Sequence, residues 1–172
     1  ADDAVKAIPA VVTLADKAVV VAAYEAVEKA GIAVPTRLTN AITAVQAAEK
    51  KAVAELQKAI SNPVTVADKA AVKAFIDAAE AYEKTEMYTL TTEYTTAADD
   101  AFKALRAAEQ KDVIATIAAL TADSTKEQVE AARAKLDAFV AEYRDAEANY
   151  NATDLIGQTN LDKLIVAEAA IK

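Results

Sequence analysis

The capped amphipathic helix that decides the fold class lies at residues 64–84, which read VTVADKAAVKAFIDAAEAYEK. Thr65 precedes Asp68 by three residues, the spacing of a capping box, in which a hydroxyl and a carboxylate satisfy free N–H groups at a helix start. Apolar side chains then recur at helical spacing, at Val72, Phe75, Ile76, Ala79 and Tyr82. The stretch therefore predicts a helix with one apolar face.

The same signature recurs at Thr13 with Asp16 and at Ser124 with Glu127, and each is followed by an apolar stripe. A second set of stripes lies between these starts, within residues 42–60, 102–120 and 161–171. The sequence thus predicts about six main helices, near 13–30, 36–61, 65–84, 91–120, 124–148 and 159–171. The expected fold class is all-α, an elongated array of antiparallel helical hairpins or three-helix bundles.

Breaker residues separate the predicted helices. Gly31 suits the left-handed position after a helix, and Pro35 suits a first turn. Residues 61–63 and the polar break at 149–159 are further connections. Threonines and tyrosines at 85–96 would suit a strand, but a lone short strand has no partner, so we expect an irregular connection running into helix.

Two landmarks indicate an internal repeat of about 50 to 60 residues. Glu49, Glu109 and Glu168 lie in similar Ala-rich segments, 60 and 59 residues apart, and the capped starts are spaced by 52 and 59 residues. We predict three helical repeats, at 1–62, 63–123 and 124–172, the last of them truncated.

The composition predicts a thin core and excludes several classes of function. Alanine supplies 46 of the 172 residues, about half of all the hydrophobic ones. Pairs of long helices need only narrow seams of larger side chains. Without Cys or His, the usual zinc, haem and copper ligand sets and most nucleophile and base pairs are missing. A net charge of −8 disfavours nucleic acid as a partner, and no apolar run is long enough for membrane insertion. We expect no enzyme, no metal and no cofactor.

Few residues suggest a binding surface. Tyr88 and Tyr150 are the tyrosines that we expect to be exposed and available for contacts. The acidic pairs at 2–3 and 99–100 could offer oxygen ligands to calcium, but they are better explained as solvated helix ends. Asn151 begins a glycosylation acceptor pattern, Asn-Ala-Thr, which we interpret as accidental.

Several segments resemble the Ala-rich helical repeats of large Gram-positive surface proteins, of the S-layer kind. They are AIPAV at 7–11 leading into TLADKA at 13–18, VTVADKAAV at 64–72, TNLDKL at 159–164 and AEAAI at 167–171. Residues 124–139, which read STKEQVEAARAKLDAF, are similar to the second-helix motif of FIVAR-type cell-wall modules. The quoted segments cover about a quarter of the chain.

The resemblance implies a non-catalytic spacer or lattice-forming segment of an exported cell-surface or S-layer protein, located outside the cell. Its implied partners are neighbouring modules of the same protein and further copies in self-assembly. The alternative is an adhesin module that binds cell-wall glycan or a host protein. Binding titrations separate the two, because a pure spacer binds neither ligand.

Overall fold

The computed structural model describes residues 1–144 and 151–171. Within them the chain forms eight α-helices, six of them long, and no strand. The helices are α1 Asp2–Lys6, α2 Lys17–Ala30, α3 Thr36–Lys58, α4 Lys69–Glu83, α5 Thr95–Ala118, α6 Lys126–Arg144, α7 Ala152–Ile156 and α8 Gln158–Ala169. The predicted all-α class is confirmed.

The chain divides into two compact units. Unit 1 comprises Ala1–Ser61 and Ala70–Ala101, and unit 2 comprises Asn62–Lys69 and Phe102–Lys172. These limits describe packing, whereas the three predicted repeats describe sequence similarity. The three-repeat division and the elongated arrangement therefore stay predictions.

Unit 1 is built around α2 and α3, which the short connection at 31–35 joins as neighbours. A 3₁₀ turn at Leu14–Asp16 precedes α2, and its capping box is formed by Thr13 and Asp16, as predicted. Gly31 ends α2 in the left-handed conformation, with φ 64° and ψ 27°. The small helix α1 packs against α2, and the Arg37 guanidinium of α3 donates to the carbonyl of Ile8.

The core of unit 1 combines small aliphatic residues with large aromatic ones. Val20, Ala23 and Val27 of α2 are fully buried, and Val45 and Val53 of α3 belong to the same cluster. Aromatic rings from α4 and the connection that follows it complete the cluster, with Phe75, Tyr82 and Tyr94 meeting edge to face. These rings are the largest side chains in a cluster whose aliphatic members are mostly Val and Ala.

The core of unit 2 lies among α5, α6, α7 and α8. Its buried members include Ile117, Leu136, Tyr143, Leu155 and Leu164. The rings of Phe102 and Phe139 pack against Tyr143, with centroids 5.7 and 4.9 Å away. The second predicted capping box, of Thr65 with Asp68, is present at the 3₁₀ turn Val66–Asp68, and its Asp68 is buried.

Some boundaries differ from the prediction. The cap of α6 is formed by Thr125 and Gln128, so the predicted box of Ser124 with Glu127 is wrong by one residue; Ser124 Oγ accepts instead from the Thr121 N–H. Helix α5 begins at Thr95 rather than near 91, after an irregular connection without a strand. The predicted end of α6 at 148 lies outside the described residues.

Two short helices were missing from the prediction. Helix α1 spans five residues, too few to show a helical period. Helix α7 interrupts the polar break at 149–159, and Asn151 opens it through a reciprocal capping box with Asp154. That box is the signal that could have found α7.

No helix within the described ranges has both the length and the apolar character that crossing a bilayer requires.

We predict that Gly31→Ala lowers the free energy of unfolding by about 1 kcal/mol, because an L side chain disfavours the left-handed conformation. A Cβ at this position would meet no atom within 4 Å, so the cost is conformational rather than steric. Gly31→Asn is the control and should cost less, since Asn tolerates positive φ. Thermal unfolding followed by circular dichroism measures both, and equal midpoints for Ala and Asn would contradict the assignment.

Candidate functional site

One of the two tyrosines predicted to be exposed is buried. Tyr88 is 7% exposed, so the expected role of an exposed contact residue is wrong for it. The connection after α4 turns its ring into unit 1, where it packs against Tyr82 at 5.3 Å between centroids. The second candidate, Tyr150, lies outside the described residues.

The Tyr88 hydroxyl forms a hydrogen bond with a buried carboxylate, that of Glu49. The hydroxyl donates to Glu49 Oε2 at 2.6 Å, and Lys17 Nζ lies 2.8 Å from Glu49 Oε1. The Lys17 ammonium also sits 5.7 Å from the centroid of the Tyr88 ring. Glu49 is itself 7% exposed, and each of its carboxylate oxygens has a donor. Burial, and then the neighbouring carboxylate, raise the pKa of the Tyr88 hydroxyl, which keeps it a donor.

Further polar contacts cover the same side of α3. Gln46 Nε2 donates to the Tyr82 hydroxyl at 2.9 Å and to the Thr89 carbonyl at 2.6 Å. One turn along, the Tyr94 hydroxyl donates to the Lys50 carbonyl at 3.0 Å, and the Lys50 ammonium pairs with Glu93 at 2.8 Å. Positions 46, 49 and 50 of α3 are thus covered by α4 and by the residues that follow it.

Unit 2 places a comparable group around Glu109 of α5. Lys69 Nζ lies 3.6 Å from Glu109 and 2.8 Å from Glu142, and Tyr143 is 1% exposed. Neither the Tyr143 hydroxyl nor Glu109 Oε2 has a hydrogen-bond partner of good geometry among the described residues. Burial raises the pKa of Glu109, and the negative charge of Glu142 adds to the shift. Burial and the nearby Glu109 carboxylate raise the pKa of Tyr143.

The third of the aligned glutamates also pairs with a base. Arg133 of α6 binds Glu168 of α8 through two hydrogen bonds, Nε to Oε2 at 3.0 Å and Nη2 to Oε1 at 2.5 Å. This fork holds the pKa of Glu168 below its ordinary value. The Glu168 side chain is 35% exposed, considerably more than that of Glu49 or Glu109.

Each of these three glutamates contacts a basic side chain that comes from another helix. Three surface cavities of the units, of about 340, 320 and 270 Å³, are lined by other residues. The largest of the three lies in unit 1 and is lined by Val21, Tyr24, Glu25, Lys84, Thr85, Glu86 and Met87. Glu49, Glu109 and Glu168 therefore lie outside these three cavities.

Among the residues that the structure describes, no three Asp or Glu side chains are grouped closely enough to hold a metal ion. Asn151, the potential glycosylation acceptor, uses its side-chain oxygen to cap α7, accepting from the Asp154 N–H at 3.0 Å.

Sequence reasoning found the three glutamates as a repeat marker but missed their contacts. The available signal was that Lys17 and Lys69 each directly follow a capping box, at the same offset. A cation fixed at the start of a helix is well placed to meet a carboxylate of the next helix. The tyrosine partners carried no comparable signal, because they come from different kinds of segment, a connection for Tyr88 and a helix end for Tyr143.

Comparison of the chain with protein-family models, with curated proteins and with solved structures finds no match.

We predict opposite pH dependences for two matched variants. Charged Glu168 stabilises the folded state above its ordinary pKa of 4.5, and this contribution is lost as the pH falls through its lowered folded pKa. Glu109 has a raised folded pKa, so its folded state favours the proton, and this contribution is lost as the pH rises through that pKa. Glu168→Gln should therefore destabilise the protein at about pH 7, and the loss should shrink as the pH falls below 4.5.

Glu109→Gln should become more stable relative to wild type as the pH rises above 4.5. Urea unfolding of both variants and of wild type across this range provides the measurement. Parallel pH dependences of the two variants would contradict the assigned shifts.

Proposed function

We propose that the chain is a non-catalytic structural segment, a spacer or lattice-forming module, of an exported bacterial cell-surface protein of the S-layer kind. The observation that carries the proposal is the set of contacts made by Glu49, Glu109 and Glu168. Each is engaged by a basic side chain of another helix, and none lines one of the three surface cavities described above.

The physical organisation is suited to a spacer. A helical hairpin that buries one face against its neighbour can be extended by adding further hairpins, because each contact is local. The ion pairs between neighbouring helices fix their register at one point per pair. The resemblance of the 13–18 and 64–72 segments to surface-protein repeats supports a location outside the cell.

Binding and location measurements test the proposal together. Purified chain, titrated with wall polysaccharide, peptidoglycan fragments and plasma proteins, should show no saturable binding with a Kd below about 1 mM. Antibodies to the chain should label intact cells of the source organism, and protease treatment of those cells should remove the label.

Labelling that requires cell lysis would contradict the surface location. Saturable binding to wall polysaccharide or to one plasma protein would contradict the spacer role and favour the adhesin alternative. An unrelated helical protein of similar net charge serves as the control, because it reports attraction that depends on charge alone.

A further inference from the structure

Leu90, in the connection between α4 and α5, combines two unfavourable features. Its side chain is 81% exposed, more than that of the other exposed large hydrophobic residues. Its φ of 57° also makes it the one non-glycine residue in the left-handed region among the described residues. A bulky side chain disfavours that conformation, whereas Gly and Asn tolerate it. A residue that is both strained and exposed points to a function that the fold alone does not require.

The chain on both sides of Leu90 is tied to α3. On one side, the Thr89 carbonyl accepts from Gln46 Nε2 at 2.6 Å. On the other side, the Tyr94 hydroxyl donates to the Lys50 carbonyl at 3.0 Å. Leu90 is therefore presented by a fixed segment, so little conformational entropy is lost when a partner binds it.

One surface cavity of unit 1 has the size and the lining to receive such a side chain. Its volume is about 320 Å³, and its lining is mostly apolar, including Ile8, Pro9, Val12, Ala41 and Ala44. We call it the α3 cavity. Since a cavity of about 150 Å³ already holds benzene, the α3 cavity admits a leucine side chain.

The α3 cavity and Leu90 lie on opposite sides of α3. Arg37 lines the cavity, and Gln46 binds the segment that presents Leu90. The two positions are nine residues apart, which is about two and a half turns of an α-helix, so they face opposite directions. Leu90 thus cannot fill the cavity of its own chain, but it can enter that of another copy.

The surroundings of the two features match in apolarity and in charge. Val11, which is next in sequence to lining residues of the cavity, is 79% exposed, so the apolar surface continues beside it. Arg37 is the one charged residue that lines the cavity. Before Leu90, Glu83 and Glu86 are exposed, and Lys84 between them has an acidic partner of its own in α4. The cavity is thus positive and the Leu90 segment negative, which favours contact between copies.

We propose that Leu90 of one copy of this chain inserts into the α3 cavity of a second copy. The contact is heterologous, because each copy offers its leucine on one side of α3 and receives another on the opposite side. Such contacts extend into open chains or close into rings of several copies. The inference rests on the proposed function and deepens it, since a lattice-forming module needs a defined contact between copies.

Engineered cysteines test the contact in a chain that has no cysteine of its own. Thr89→Cys and Asn40→Cys, each in a separate copy, leave Leu90 in place and are mixed under mild oxidation. Docking raises the effective concentration of the two thiols, so the mixed disulfide should form at least about tenfold faster than with Ala22→Cys in place of Asn40→Cys. Ala22 is the control because it is exposed on α2 and does not line the cavity.

Substitution of Leu90 separates docking from folding. Leu90→Asn, added to the Thr89→Cys copy, should lower the rate to that of the Ala22 control. Without cysteines, sedimentation should show wild-type chain associating with a Kd below about 1 mM and Leu90→Asn remaining monomeric. The thermal midpoint of Leu90→Asn should be equal to or above that of wild type, since Asn tolerates positive φ. Val166→Asn, at a valine that is 69% exposed, is the control and should associate like wild type.

Three results would overturn the proposal. The first is an equal rate of disulfide formation with Asn40→Cys and Ala22→Cys. The second is a rate or an association that Leu90→Asn leaves unchanged. The third is a disulfide between two Thr89→Cys copies that forms faster than the mixed one, which would assign Leu90 to a symmetric contact.

These measurements are independent of the binding and labelling experiments that test the proposed function. Failure of the contact would leave a surface location unaffected. Labelling that requires cell lysis would leave a measured contact between copies unaffected.

Discussion

The carboxylate of Glu49 must receive donors from other segments, because burying a charge without hydrogen bonds costs several kcal/mol. Its two donors come from opposite directions along the chain, Lys17 from the start of α2 and Tyr88 from beyond α4. Satisfying one side chain therefore fixes three segments of unit 1 against one another. The connection at 84–94 contains turns but no helix or strand, and the Tyr88 hydroxyl holds it against α3 together with the Thr89 carbonyl and the Tyr94 hydroxyl.

The alanine-rich composition makes such fixed points useful. Ala23, Ala41 and Ala79 are buried where helices meet in unit 1, and alanine packs without preferring one register over another. A charged pair between two helices forms in one register only. It therefore specifies that register, as polar groups at helix interfaces do elsewhere. We infer that Glu49, Glu109 and Glu168 fix the register of helices whose alanine-lined surfaces could otherwise pack in more than one register.

The sequence predicted those features of the fold that depend on residues close together in the chain. The caps at Thr13 and Thr65 and the turn at Gly31 depend on residues within four positions of each other, so their spacing reveals them. The burial of Tyr88 could not be predicted in this way, because its partner lies 39 residues earlier and no spacing rule joins them. A threonine-rich connection that contains a tyrosine looks like an exposed loop until the buried acceptor is known.

The same distinction explains the smaller corrections. Thr125 and Ser124 are both good cap residues, and the choice of Thr125 follows from Ser124 binding back to Thr121 across the preceding turn. The sequence identified the three glutamates of the candidate site only as landmarks of an internal repeat. Glu49, Glu109 and Glu168 stood out by spacing, but whether they faced solvent, a cavity or another helix depended on contacts 32 to 40 residues away.

A double-mutant cycle on Tyr88 and Glu49 tests most directly whether this buried contact holds unit 1 together. The free energy of unfolding of wild type, Tyr88→Phe, Glu49→Met and the double variant gives the coupling between the two side chains, since methionine has no carboxylate or amide oxygen to accept the hydrogen bond. A hydrogen bond to a buried carboxylate predicts a coupling of about 1.5 to 3 kcal/mol. Effects that add to within about 0.5 kcal/mol would show that the two residues act independently, and would contradict the account.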